Sequence, residues 1–410
     1  MLGAIIGDMV GSLYEFKPIK TKSFRIIDKR MRMTDDSLLT LAVAKTLMDN
    51  YPIKYDEESL KKIQKDLTKE FVRTWNAHRS AGWGGMFFQW CHTAYATGEA
   101  KPYNSYGNGS AMRISPVAWV AKSEEELKLL SKTVTEITHN HPEGIKGAEA
   151  VAMCIYLALH GASKREIRNR MVKDYYPEIN DFDFDDLVEN YEFSEICQKS
   201  VPQAIYCFLH SHDLEDAIRN CVAIGGDCDT TGAMAGAIAE AYYCRYGLSR
   251  FEKNFLYFMI DHDDEEFIKK FHKTVGSKKF EPTPMVTAVL SNGLSVRIPL
   301  ENYRETLEKM EANIKRHERD KALGKRYLVN DTKTIVFLST NNYDFLVAKR
   351  DGYHDKWIEV DVYETPYPTK SDKEISEEEA LEIAEGFGMS EEAFFESEEF
   401  LDRIYEQENK

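Results

Sequence analysis

Apolar side chains recur at i, i+3, i+4 spacing through most of the first 275 residues, the period of helices that bury one face. Thr40–Met48, Ile145–Leu159, Gln203–Leu209 and Thr231–Tyr243 carry the pattern most clearly. Met1–Val10 predicts a further core helix, although Asp8 interrupts it. No alternating run in this part predicts a strand, so residues 1–280 are expected to form an all-α domain.

The pattern changes after Phe280, where Pro282 and Pro284 punctuate the chain. Val286–Leu290 and Leu294–Ile298 are β-prone runs joined by Ser291-Asn292-Gly293, and Asn-Gly between such runs signals a hairpin. A charged helix is expected over Tyr303–Leu323, strands over Thr334–Leu338, Asp344–Ala348 and Trp357–Val362, and then an acidic helical tail. The expectation is a second, smaller α+β domain over 281–410, its boundary near 275–285, with no recognisable catalytic spacing.

At 410 residues and 43% hydrophobic, the chain can bury a substantial core. No apolar run approaches the ~18–20 residues needed to cross a bilayer. The N-terminal stretch has no basic leader, which favours a core helix over a signal peptide. Seven cysteines, odd in number and without a CxxC pair, point to free thiols in a reducing cytoplasm. The net charge of −16 is concentrated: Ser371–Lys410 holds fifteen acidic residues against three basic ones, by composition a solvated helical face or, as the sharper reading, a docking tail for a basic partner. No basic stripe suggests routine nucleic-acid binding.

The informative chemistry lies in two acidic clusters, Thr34-Asp35-Asp36 and Gly225-Gly226-Asp227-Cys228-Asp229-Thr230-Thr231. Each stands immediately before an apolar helical run. A threonine or aspartate there can simply cap a helix, and acids there complement its dipole. One cap needs one such acid, however, and four carboxylates with three threonines in two places are better explained by shared cations. Hard oxygen donors suit Mg²⁺ or Mn²⁺ rather than zinc. In Asn104-Ser105-Tyr106-Gly107-Asn108-Gly109-Ser110-Ala111, glycines leave amides and hydroxyls free to meet phosphate oxygens, with a helix expected to begin near Ala111. Gly-Asn-Gly is also an ordinary turn. His139 and His141 stand just before a long helix, with no cysteine at a spacing that would make a zinc site. Glu15 ends a mixed segment, Gly7-Asp8-Met9-Val10-Gly11-Ser12-Leu13-Tyr14-Glu15-Phe16, and on these grounds alone is a surface residue as readily as a functional one.

Taken in order, GDMVGSLYEF, MTDDSLLTLAVAKTL, GWGGMF, YGNGSAMRISPVAW, THNHPEGIKGAEAV and AIGGDCDTTGAMAGAIAEAY resemble the ADP-ribosylglycohydrolase family over roughly residues 1–275. The resemblance implies a compact all-α bundle, which agrees with the helical period. It implies that Thr34, Asp35 and Asp36 hold one Mg²⁺ or Mn²⁺, and that Asp227, Asp229 and Thr230 hold a second, with Asp229 bridging. Glu15 matches a glutamate carried beside the metals on a mobile loop. Ser105, Tyr106, Gly107, Asn108 and Gly109 match the segment that holds the diphosphate and ribose of ADP-ribose. His139 matches a histidine on the same ligand, and Gly84-Gly85-Met86 part of the cleft wall. Ser37 and Cys228 stand where the family more often has threonine.

The implied activity is hydrolysis of the C1″ glycosidic bond of an ADP-ribosylated protein or small ADP-ribose conjugate, linked through arginine or serine, with release of ADP-ribose. Glu15, Asp36 and Asp227 are the expected catalytic carboxylates. Two other readings are an inactive ADP-ribose-binding or structural relative and a metal phosphohydrolase that cuts the diphosphate.

Overall fold

Every residue of the first helix, α1 (Leu2–Gly11), is buried, including Asp8. Such a helix must lie inside the molecule rather than on it. The computed structural model describes residues 1–280 except 246, and beyond them seven strands with a few isolated positions. By packing, the chain divides into two units, Met1–Thr283 and Pro284–Lys410.

After α1 the first unit runs through α2 (Asp35–Asp49), α3 (Glu57–Ala77), α4 (Gly85–Thr97), α5 (Ser115–Val120), α6 (Glu124–Thr135) and α7 (Pro142–Leu159). It continues with α8 (Lys164–Asp174), α9 (Phe184–Asn190), α10 (Val201–Leu209), α11 (Leu214–Ile224), α12 (Cys228–Tyr243), α13 (Arg250–Met259) and α14 (His262–Thr274). Side-chain caps explain many of the starts: Thr34, Asp56, Ser123, Ser163, Asp213, Ser249 and Asp261 each accept a first-turn amide. The four helices predicted from apolar spacing lie within α2, α7, α10 and α12. No strand occurs among the described residues of this unit; an isolated bridge joins Gly107 to Ile196. The helix expected near Ala111 does not form there. A single 3-10 turn spans Asn108–Ser110, and α5 starts at Ser115.

At the centre, α12 packs on α1, α7, α10 and α11. Gly3, Gly7 and Gly11 recur every four residues and so form one stripe along α1. A Cβ at Gly3 would stand 2.2 Å from the Gly236 carbonyl oxygen, at Gly7 1.9 Å from that of Gly232, and at Gly11 2.3 Å from Asp229 Cα. The two helices therefore touch backbone to backbone, an approach open only to glycine. The Cys228 thiol closes the end of this contact by donating to Gly11 O at 3.4 Å. That gives Cys228 a structural role which threonine could also fill.

In the second unit β1 (Met285–Val289) pairs antiparallel with β2 (Ser295–Pro299), as the Asn-Gly hairpin signal predicts. Asn292 and Gly293 of the turn lie outside the described residues. The other strands are β3 (Arg326–Val329), β4 (Ile335–Ser339), β5 (Asp344–Lys349), β6 (Gly352–Glu359) and β7 (Lys373–Ile375), in the sheet order β6-β5-β4-β3-β7. The strand expected over Trp357–Val362 starts earlier, at Gly352. Its polar first half is held by antiparallel pairing to β5 through a register shift, a contribution that periodicity does not register. β3 and β7 are short and have no clear alternation. Most of the expected charged helix and nearly all of the acidic tail lie outside the described residues.

The glycine contact has a direct test. Gly7→Ala is expected to lower unfolding stability by about 3 kcal/mol or more, since the new methyl meets backbone that cannot yield. Gly84→Ala, where a Cβ would have nothing within 4 Å, should change it by less than about 0.5 kcal/mol. Urea unfolding of both variants provides the comparison.

Candidate active site

The contact of α1 with α12 sets Asp8 of one helix beside Asp229 on the first turn of the other, and α2 brings in Asp36. Oxygens of Asp8, Asp36 and Asp229 lie within 4.8 Å of one another, as do those of Glu15, Asp227 and Asp229. Asp229 is common to both groups. Asp8 is held by three donors: Thr34 N at 2.9 Å, Thr34 Oγ1 at 2.7 Å and Ser37 N at 3.0 Å. Thr34 also caps α2, its Oγ1 accepting from Asp36 N at 3.3 Å. From α12, Thr230 Oγ1 reaches Asp36 Oδ2 at 3.4 Å. Asp36 Oδ1 is buried and receives no hydrogen bond. Such an oxygen is costly to leave unsatisfied, and a cation is the group that satisfies several carboxylates at once. The donor set, all oxygen and mostly carboxylate, fits a hard divalent ion.

Burial is the main cause raising the carboxyls of Asp8, Asp35, Asp36, Asp227 and Asp229 above the ordinary range. For Asp36 and Asp229, neighbouring carboxylates raise them further. Glu15, half-buried at the mouth, is pushed up to about 7, by burial first and by the Asp227 charge second.

Both acidic groups open into a cleft of about 430 Å³. Thr34, Asp35, Asp36, Asp227, Asp229, Thr230 and Glu15 line it, and so do Ser105, Gly107, Asn108, Gly109, His139, Gly84 and Gly85. Tyr106 differs: it is 45% exposed, its ring lies 5.1 Å from that of His141, and it does not line the cleft. His141 caps α7 by accepting from Glu143 N at 3.1 Å, which accounts for the second histidine structurally. Asn108 binds the acidic loop directly, Nδ2 donating to Asp227 Oδ2 at 2.7 Å. Its own amide donates to Glu195 O at 2.8 Å, which fixes the Ser105–Gly109 loop against the segment ahead of α10.

A short chain of hydrogen bonds sets the proton on His139. Arg113, fully buried over the Phe71 ring at 4.7 Å, donates to Thr138 Oγ1 at 2.7 Å. Arginine only donates, so the Thr138 hydroxyl keeps a proton to give; Thr135 O stands at 3.4 Å and His139 Nδ1 at 2.8 Å, and the shorter contact takes it. The imidazole then carries its proton on Nε2, beside Gly107 and Gly109. Burial, and secondarily Arg113, holds His139 well below its ordinary pKa, so the ring is neutral. It presents an N–H donor towards the Gly107–Gly109 turn.

Asp8, Arg32, Arg113 and Glu195 belong to this site and were missed as site residues in the sequence. For Asp8 a signal existed: a lone carboxylate inside an otherwise apolar helix. Lys20 was also missed. Its Nζ donates to Ile224 O at 2.7 Å and Tyr191 O at 3.0 Å. One ammonium thus joins the segment after Glu15, the end of α11 ahead of Asp227, and the segment leading to Glu195. A cation at a helix C-terminus also complements the dipole.

A family model described as ADP-ribosylglycohydrolase matches residues 1–253. The chain is similar to ADP-ribosylhydrolase ARH3 of Homo sapiens, 24% identical over 317 aligned residues that cover 59% of this chain and 84% of the relative. ADP-ribosylarginine hydrolase Tri1 of Pseudomonas putida is 25% identical, covering 59% and 69%. The ADP-ribosyl-[dinitrogen reductase] glycohydrolase of Rhodospirillum rubrum is 25% identical, covering 59% and 83%. A solved structure described as an ADP-ribosylglycohydrolase-related protein complex superposes with a TM-score of 0.50 at 23% identity, over 68% of this chain and 97% of that one. At that identity the likeness concerns the fold.

The electrostatics predict a pH signature. Without a cation, the raised carboxyls favour the folded state at low pH, and that stability is lost as pH rises through their folded pKa values. The window runs from the ordinary 3.8 of aspartate up towards about 7 at Glu15. A divalent ion binds the ionised cluster, so the rise in melting temperature with millimolar Mg²⁺ or Mn²⁺ should be small near about pH 5 and larger near about pH 7.5. Asp36→Asn should raise the melting temperature of the cation-free protein and remove most of that rise. A rise independent of both pH and Asp36 places the ion elsewhere. Lys20→Met should cost about 1–3 kcal/mol and speed amide exchange around Gly225 and Asp227 more than in α3.

Proposed function

The chain belongs to the ADP-ribosylglycohydrolase family, and on that premise we propose that it is a metal-dependent hydrolase of the C1″ glycosidic bond in ADP-ribosylated substrates. The observation that carries this reading is that two carboxylate groups sharing Asp229 open into the same cleft as the Ser105–Gly109 loop and the Nε2–H of His139. One part of such a cleft suits cations and sugar hydroxyls, the adjoining part a diphosphate. The substrates read in this way are ADP-ribosylated proteins or small ADP-ribose conjugates, and the product is ADP-ribose. A reducing cytoplasm is the compartment that fits seven buried free cysteines. We read the segment beyond residue 283 as a small α+β appendage.

Asp36, Asp227, Asp229 and Glu15 would hold two Mg²⁺ or Mn²⁺ ions together with Asp8, Thr34, Asp35 and Thr230, and ions so held lower the pKa of a bound water and neutralise charge on ribose oxygens. The residues of the chain then have separable tasks. The Gly109 amide and His139 Nε2–H hold the diphosphate and so fix the distal ribose over the acids. Asn108 keeps Asp227 aimed by its hydrogen bond. Asp36 and Asp227, buried and facing the ribose, orient the attacking water and take up its proton. Glu15, half-buried at the mouth, exchanges a proton with the departing group. The C1″ bond to the acceptor breaks through an oxocarbenium-like state as water oxygen bonds to C1″.

Incubation with Mg²⁺ and arginine- or serine-linked ADP-ribose is expected to release free ADP-ribose and intact acceptor. Asp229→Asn should cut kcat/KM by at least about 10³-fold, since both carboxylate groups lose their common member. Near-normal turnover by this variant at low Mg²⁺ would rule the scheme out. AMP with ribose phosphate would instead identify a phosphohydrolase, and binding without turnover an inactive relative.

A further inference from the structure

Two large aromatics stand in solvent at the mouth of the cleft. Phe16, next to Glu15, is 79% exposed and lines the cleft; Phe193, on the segment leading to Glu195, is 44% exposed. Their rings stack at 6.1 Å with planes 27° apart, so Phe193 backs Phe16. Glu195, two residues on from Phe193, lines the same cleft as Phe16 and Glu15. The geometry is held from behind. Lys20 ties the segment after Phe16 to Tyr191 O, and the Gly107–Ile196 bridge anchors the other side.

Stacked phenyl rings left in water are costly unless something covers them. A ring face beside two carboxylates favours one occupant, a planar cation, which takes up the negative face of the ring and the acid oxygens together. Arg113 also lines the cleft but is buried and bonded to Thr138 Oγ1, and a substrate diphosphate brings two negative charges for the exposed Arg32, leaving the acids at the mouth for a cation. Resting on the hydrolase reading above, we infer that Phe16, backed by Phe193, forms with Glu195 an acceptor subsite for a guanidinium, which makes the preferred substrate arginine-linked. The subsite serves both sides of the reaction. The C1″–N bond breaks, water supplies the hydroxyl on C1″ and one proton to the leaving nitrogen, and the acceptor is a guanidinium before and after. A serine hydroxyl has neither charge nor plane to use there.

The test compares two substrates with the same ADP-ribose, one linked through an arginine guanidinium and the other through a serine hydroxyl, on the full chain with Mg²⁺. The wild type is expected to favour the arginine linkage in kcat/KM. Phe16→Leu, Phe193→Ala and Glu195→Gln should each reduce the ratio of arginine to serine kcat/KM by about 5- to 10-fold. Because the readout is a ratio, general loss of folded enzyme cancels, and Phe16→Leu keeps the apolar bulk while removing the ring face. A preference for the serine linkage, or a ratio unmoved by all three variants, overturns the subsite but leaves the hydrolase reading intact. No turnover of either substrate removes that reading and the inference with it.

Discussion

The site exists because α1 and α12 touch backbone to backbone. Asp8 and Asp229 sit on different helices, more than 200 positions apart in the chain, and side chains as short as aspartate can share a cation only if their helix axes come unusually close. Gly3, Gly7 and Gly11 against Gly232 and Gly236 allow that approach. α2 then needs only ordinary capping geometry to present Asp36, while Gly225 and Gly226, both at positive φ, turn the chain to present Asp227. The glycine stripe is therefore as much a part of the chemistry as the carboxylates, although no glycine in it faces the cleft.

Concentrating buried acids in one place carries a cost, visible as carboxyls displaced upward by burial and by one another. The surroundings offset part of it with neutral donors, three to Asp8 and one from Asn108 to Asp227. They do not offset it with lysine or arginine: none donates to these carboxylates among the described residues. Asp36 Oδ1 has no donor at all. Lys20, behind the site, donates instead to backbone carbonyls. A neighbouring ammonium would stabilise the cluster and also close it to a divalent ion.

Much of the site was legible because the chain writes it in contiguous pieces. Thr34-Asp35-Asp36 and Asp227-Cys228-Asp229-Thr230 are each complete at one helix start, and Ser105–Gly109 in one loop, and capping and glycine patterns expose such segments. The misses are of another kind. Tyr106 belongs to the right loop, but its side chain is turned outward by the pairing of Gly107 with Ile196, a contact between distant segments. Glu195 and Lys20 lie in stretches without a pattern of their own, and they matter only for what folding sets beside them. The early start of β6 was hidden because cross-strand hydrogen bonds stabilise a polar stretch that alternation does not mark.

The sequence by itself determined that the first 280 residues are helical, that oxygen-rich loops precede two of those helices, and that the set resembles one family of enzymes. These follow from local causes: period, caps, and charges too close together to be left alone. Tertiary structure decided that Asp8 joins the acids, that Asp229 is the member both groups share, that His139 keeps its proton on Nε2, and that Phe16 meets Phe193 over the cleft mouth. Each of these depends on the distance between atoms far apart along the chain. That distance is set by how closely packed backbones can approach, a quantity that linear order does not carry.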